Sequence, residues 1–196
     1  MAPAAIAFDL DGTVWDSFPW YARLLGQLTG VDPNEFERAL RTRQNLMTIV
    51  DSRVGRSRFV REAAREAVRI PLYAGVVETL VQLRRRGTPL GVASNLPAAL
   101  VDVMLSGAGV KGCFQVVVDA STRPPKPNPR PLLVACARLN QEPSKAVYYV
   151  GDRLQDQRAA AAAGVSFAWA SYGYIDEVDL DVADVRLTEF AQVLEL

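Results

Sequence analysis

Ala4-Ala5-Ile6-Ala7-Phe8-Asp9-Leu10-Asp11-Gly12-Thr13 runs five apolar residues straight into two carboxylates and a glycine. The run over residues 4–8 reads as a strand, and it is apolar enough to suit a sheet covered on both faces. Where such a strand leaves its sheet, residues two apart point the same way, so Asp9 and Asp11 can face one point beyond the strand end. Gly12 then supplies a tight turn without the penalty that a Cβ would bring.

Further apolar runs at residues 90–93, 114–118, 147–150 and 166–170 alternate with helical stretches at 75–86, 97–106 and 155–163. Gly87, Gly107 and Gly164 stop these helices, and Asn128 with Pro129 is a cap and first-turn pair opening another helix to about residue 139. This alternation predicts an α/β fold, a Rossmann-like parallel sheet with helices on both faces. One stretch departs from it. From about residue 18 to 70 there is only helical patterning, with Asp32-Pro33-Asn34-Glu35 as a capping box opening a helix toward Gln44 and a second helix over 58–69 ending before Pro71. The prediction is a small helical cap, residues 17–71, inserted after the first strand of a core made of 1–16 and 72–196. The cap would lie over the C-terminal edge of the sheet, where open α/β sheets bind ligands.

The fourth strand ends in Val150-Gly151-Asp152, and Asp156 follows one helical turn later. If the first and fourth strands are neighbours, four carboxylates meet in one small volume and repel strongly, so the site needs a cation or a proton. The chain contains no histidine and only two cysteines, Cys113 and Cys136, far apart in sequence. Imidazole zinc sites, Ser-His-Asp and Cys-His machinery are thereby excluded. A hard divalent ion held by oxygen remains, and Mg²⁺ is the best candidate. Lys126, in the stiff segment Pro124-Pro125-Lys126-Pro127, can bring a positive point charge to the same edge. Ser94-Asn95 ends the second strand at a helix start, which makes an anion site. A metal, a lysine, a hydroxyl and backbone donors around a free carboxylate are what phosphoryl transfer through an aspartyl-phosphate requires.

The bulk composition, 49% hydrophobic and 22% charged with a formal net charge of zero, is that of an ordinary globular protein. With a pI near 6.3 it offers no global attraction to nucleic acid or to an anionic membrane. The two thiols read as free and buried, as in a reducing cytoplasm. The N-terminus does not read as a signal peptide, and the uncharged run 159–175, broken by Gly164 and Gly173, reads as a helix end followed by a strand. A literal GxGxxG at 107–112 follows a helix and precedes a strand, the reverse of the dinucleotide-binding context, and GxxxxGK[ST] is absent.

FDLDGT at residues 8–13, ASN at 93–95, KPNP at 126–129 and GDRLQD at 151–156 together resemble the four motifs of the haloacid dehalogenase superfamily, in family order and spacing. The phosphoglycolate phosphatase-like branch is the most similar. The resemblance implies a cytoplasmic, Mg²⁺-dependent phosphatase of a small phosphorylated metabolite, monomeric or homodimeric. Under it Asp9 is the nucleophile and Asp11 the general acid and then base. Ser94 and Lys126, with Asn95 and Gly12, hold the phosphoryl oxygens. Mg²⁺ sits on Asp9, the Asp11 carbonyl and Asp152; Thr13, Gly151 and Asp156 support, Asp156 by orienting Lys126 or a metal-bound water. A phosphomutase of the β-phosphoglucomutase type and a non-catalytic binding member of the fold are the alternatives. Arg153 stands where related enzymes usually carry Ser or Thr. Trp15, Trp20 and Tyr21 read as packing between cap and core, the alternative being that they line the substrate mouth. Arg38, Arg41, Arg43, Arg53, Arg56, Arg58, Arg61, Arg65 and Arg69 read as solvated helix faces paired to Glu62 or Glu66, the alternative being recognition of a second anionic group on the substrate.

Overall fold

The computed structural model describes residues 2–41, 46–174 and 183–196. Six strands form one parallel sheet: β1 Ala5–Phe8, β2 Leu90–Ala93, β3 Val116–Val118, β4 Val147–Gly151, β5 Ser166–Ala170 and β6 Val185–Leu187, in the spatial order β3-β2-β1-β4-β5-β6. Between β1 and β2 lie α1 Phe18–Thr29, α2 Pro33–Arg41, α3 Leu46–Arg53, α4 Arg56–Glu66 and then α5 Val76–Arg85. The remaining helices are α6 Ala98–Gly107, α7 Arg130–Arg138 and α8 Leu154–Ala163.

The alternation of side chains along β1 divides the core. Ile6 and Phe8 pack in the layer that holds Leu80, Leu100 and Met104 of α5 and α6, whereas Ala5 and Ala7 pack with Leu132 and Ala135 of α7 and Ala159 and Ala160 of α8. Both faces of the sheet are therefore covered, as continuous apolar strands demand. The order of strands brings β1 beside β4, with Phe8 opposite Val150, so Asp9 and Asp152 leave the sheet as neighbours.

Several boundaries differ from expectation. β3 begins at Val116 because residues 111–113 form a 3₁₀ turn. The helix expected over 58–69 is α4 plus a 3₁₀ turn Ala67–Arg69, tightening the chain before Pro71. β6 was not foreseen: it is a three-residue edge strand in which only Leu187 is buried, too short to show a period. Asp32 Oδ1 accepts the Asn34 N–H at 3.0 Å at the start of α2; the helix is described to Arg41, and the expected extension toward Gln44 lies outside the described residues, as does Arg43. α7 begins at Arg130, yet Asn128 Oδ1 accepts the Arg130 N–H at 2.9 Å, the bond that a cap makes.

The chain enters and leaves the helical insertion side by side. The Asp16 N–H donates to the Pro71 carbonyl at 2.9 Å and the Tyr73 N–H to the Val14 carbonyl at 3.1 Å. Trp15, Trp20 and Tyr21 are buried in the apolar cluster that also holds Phe36, Leu40 and Phe59 of the insertion. Its outer arginines pair locally: Arg65 with Glu62 at 2.6 Å, Arg61 with Glu62 at 3.2 Å and Arg69 with Glu66 at 3.9 Å. Arg41 and Arg56 take Glu37 and Asp51 instead of the two expected partners. Cys113 and Cys136 are free and buried. Among the described residues no helix is long and apolar enough to cross a membrane.

Candidate active site

Asp9 follows the last residue of β1, and its N–H still donates to the Val150 carbonyl at 2.9 Å, so the ladder fixes its backbone. One of its carboxylate oxygens lies 2.9 Å from Lys126 Nζ. Lys126 also donates to Asp156 at 2.7 Å and to the Tyr149 hydroxyl at 2.5 Å. The Tyr149 hydroxyl in turn donates a hydrogen bond to the Ala93 carbonyl at 2.7 Å, which ties the lysine to the end of β2. Burial alone would lower the Lys126 pKa, but the charges of Asp156 and Asp9 outweigh it and hold the ammonium protonated.

The loop that presents Lys126 is fixed by Asn95. Asn95 Oδ1 accepts the Lys126 N–H and its amide nitrogen donates to the Lys126 carbonyl, both at 3.1 Å. Its side chain therefore positions Lys126, and a second amide N–H remains for the anion that the sequence suggested. Ser94 is buried at the end of β2 and its hydroxyl accepts the Leu96 N–H at 3.3 Å. Asp9, Asp11, Ser94 and Asn95 line one cleft, roofed by Phe18, Leu46 and Met47 of the insertion and flanked by Arg153.

Asp9, Asp152 and Asp156 each offer an oxygen within 4.8 Å of the others. Asp152 is fully buried, with Oδ2 accepting the Tyr174 N–H at 3.2 Å and Oδ1 without a partner among the described residues. Burial and then the Asp156 charge push its carboxyl well above the usual range, against the pull of Arg153. Lys126 pairs with Asp9 and Asp156, and one Asp152 oxygen is left without a partner among the described residues. Such a donor set fits a hard divalent cation. Asp156 is the least available of the three, since its other oxygen accepts the Arg153 N–H at 3.0 Å, consistent with a supporting place.

Two glycines make room for this arrangement. Gly12 has φ +76°, and a Cβ there would stand 2.2 Å from Asp152 Oδ2. A Cβ at Gly151 would stand 2.6 Å from that of Asp156. Thr13 is buried with its hydroxyl unpartnered among the described residues.

Asp11 reaches out of the same turn. Burial pushes its carboxyl up to about 7, the Asp9 charge adds to the shift, and the Tyr21 hydroxyl, donating at 3.2 Å, offsets part of it. Tyr21 is thus more than packing. Tyr149 is a site residue that the sequence did not reveal, although a tyrosine in a buried strand must find a partner for its hydroxyl. Tyr174 also went unnoticed. It acts on Asp152 through its backbone, and its ring stacks on Phe18 at 3.8 Å between centroids.

Comparison with known proteins agrees with this geometry. Residues 3–164 match the family of haloacid dehalogenase-like hydrolases. The phosphoglycolate phosphatase of Pectobacterium atrosepticum is 32% identical over 97% of this chain and 91% of its own length. The N-acetylmuramic acid 6-phosphate phosphatase of Pseudomonas aeruginosa is 36% identical, over 55% of this chain and 47% of that protein. A solved structure from Lactobacillus plantarum superposes with a TM-score of 0.85 at 23% identity, covering 100% of this chain and 99% of the other, and so shares the fold.

Proposed function

The chain belongs to the haloacid dehalogenase-like hydrolases, and on that premise we propose that it is an Mg²⁺-dependent phosphatase acting on a small phosphomonoester through an aspartyl-phosphate on Asp9. The observation that carries the proposal is the pairing of buried Asp9 with Lys126 at 2.9 Å, beside an Asp152 oxygen with no partner among the described residues. In the first step an Asp9 oxygen attacks phosphorus, the ester P–O bond breaks, and Asp11 gives its proton to the departing alkoxide. In the second, Asp11 takes a proton from water as that water attacks the phosphoryl group, the acyl-phosphate P–O bond breaks, and Asp9 is restored as phosphate leaves. A carboxyl lifted to about 7 suits both roles near neutral pH, because neither its acid nor its base form is scarce there.

Lys126 and Ser94 orient the phosphoryl oxygens, while Asn95 and Tyr149 keep Lys126 in place. Asp9, Asp152 and the Asp11 carbonyl would hold Mg²⁺, which when bound supplies positive charge against which two anions can meet. The two hydrogen bonds at the neck of the insertion support a division into a core, 1–16 and 72–196, and a cap, 17–71, that contributes the roof of the cleft. The test is hydrolysis of p-nitrophenyl phosphate with Mg²⁺, repeated with EDTA and with Asp9→Asn. Activity is expected in the first case alone, and equal rates in all three would sink the mechanism. Asp11→Ala should accumulate protein heavier by one phosphoryl group in intact-mass measurement.

A further inference from the structure

Arg153 has its backbone in the catalytic loop and its guanidinium in the insertion. Its N–H is held by Asp156 Oδ2 at 3.0 Å, directly after Asp152. Its Nη2 donates at 2.8 Å to the carbonyl of Leu40, 113 residues away, in α2. The guanidinium also lies 4.8 Å from the ring centre of Phe18, at the start of α1, whose ring stacks on Tyr174 at 3.8 Å. Tyr174 in turn holds Asp152 through its N–H. Arg153, Phe18 and Tyr174 thus form one stack joining the catalytic loop to the entry of the insertion, and Arg153 and Phe18 line the cleft that contains Asp9 and Asp11.

The geometry points to Arg153 as the latch that holds the helical insertion closed over the cleft, a positioning residue that acts through cap closure without touching the reacting atoms. The bond to Leu40 and the stack on Phe18 exist only while the insertion is seated. Arg153 Nε is buried without a partner among the described residues, so the closed arrangement is left incompletely satisfied. A latch of this kind holds the roof down yet releases it for product to leave.

The kinetic part of the test rests on the phosphatase reading; the exchange part does not. In Arg153→Ser the core is expected to fold normally, since serine is a favourable cap for α8. Hydrogen exchange of α2 amides should become about tenfold faster or more, with exchange in β1 and β4 unchanged. With p-nitrophenyl phosphate, KM should rise about tenfold while kcat stays within about threefold, as when the competent state becomes less populated. Arg153→Lys keeps the charge but not the planar fork and should stay near the serine variant. Unchanged α2 exchange, a fall in kcat at constant KM, or full recovery by lysine would each overturn the latch. A wild-type protein that hydrolyses nothing would overturn the phosphatase reading, and the exchange result would still decide the latch.

Discussion

Replacing Lys126 by methionine tests the electrostatic design of the site without relying on a substrate. The ammonium and the Asp156 carboxylate are fully buried and the Asp9 side chain is 7% exposed, so these charges meet away from water. Methionine fills a similar volume but strips Asp9 and Asp156 of the ammonium that they share. Removing one partner of a buried pair typically costs about 3–5 kcal/mol, which for a domain of this size lowers Tm by roughly 6–20 °C. The measurement is thermal unfolding by circular dichroism at pH 7.5 in EDTA. Arg56→Ala, which breaks an exposed pair with Asp51, is the comparison and should cost less than about 1 kcal/mol. The sign of the pH dependence follows from the carboxylates. Without the lysine the folded-state pKa values of Asp152 and Asp156, already raised by burial, rise further above the unfolded ones, so the penalty is absent below the unfolded pKa and grows as pH rises through the folded value. Asp156→Asn added to Lys126→Met removes one stranded charge and should recover part of the loss. If Lys126→Met unfolds within about 1 kcal/mol of the parent in EDTA at pH 7.5, the account of the site as a negative cluster held by one lysine is wrong.

Gly12→Ala forces a Cβ to 2.2 Å from Asp152 Oδ2 at a left-handed φ, whereas Gly30→Ala at φ +75° meets nothing within 4 Å. Urea unfolding should show a cost of about 1 kcal/mol for the second, the conformational term alone, and a clearly larger one for the first. Tyr149→Phe removes the hydroxyl between Lys126 and the Ala93 carbonyl and should cost about 1–3 kcal/mol by the same assay, with hydrolysis of p-nitrophenyl phosphate reduced. Mg²⁺ should raise Tm more at pH 8 than at pH 5.5, because the raised Asp152 carboxyl must lose its proton to bind the ion, and Asp152→Asn should abolish most of that difference. A pH-independent shift would remove Asp152 from the metal site.

Much of the fold was legible in short windows of sequence. The apolar run ending at Phe8 and the carboxylates two apart at Asp9 and Asp11 are local features, and local backbone geometry turns them into a strand and a paired exit. Gly107 and Gly164 stop helices for reasons that lie within a single turn. β6 escaped because three residues at a sheet edge leave no period to read, and the start of β3 because a 3₁₀ turn precedes it. At the site, the motifs pointed to Asp9, Asp11, Lys126 and Asp152, which the fold gathers at one sheet edge, whereas the bonds from the Asn95 side chain to the Lys126 loop are visible only in three dimensions. Tyr149, Tyr174 and the reach of Arg153 to Leu40 carried no sequence signal, since each is a contact between residues 22 to 113 positions apart.

The sequence by itself limited the chemistry on offer: with no histidine, any catalysis runs on carboxylates, hydroxyls, Lys, Tyr or Cys, and any metal is held mainly by oxygen. Tertiary structure alone decided which of them are neutralised. β1 pairs with β4, and that pairing sets Asp9 beside Asp152 while Lys126 arrives from the far side of β2 to balance only part of the charge. Residue type and local spacing act within a few bonds of chain, whereas Coulomb and desolvation energies depend on distance through space, which only the folded sheet supplies.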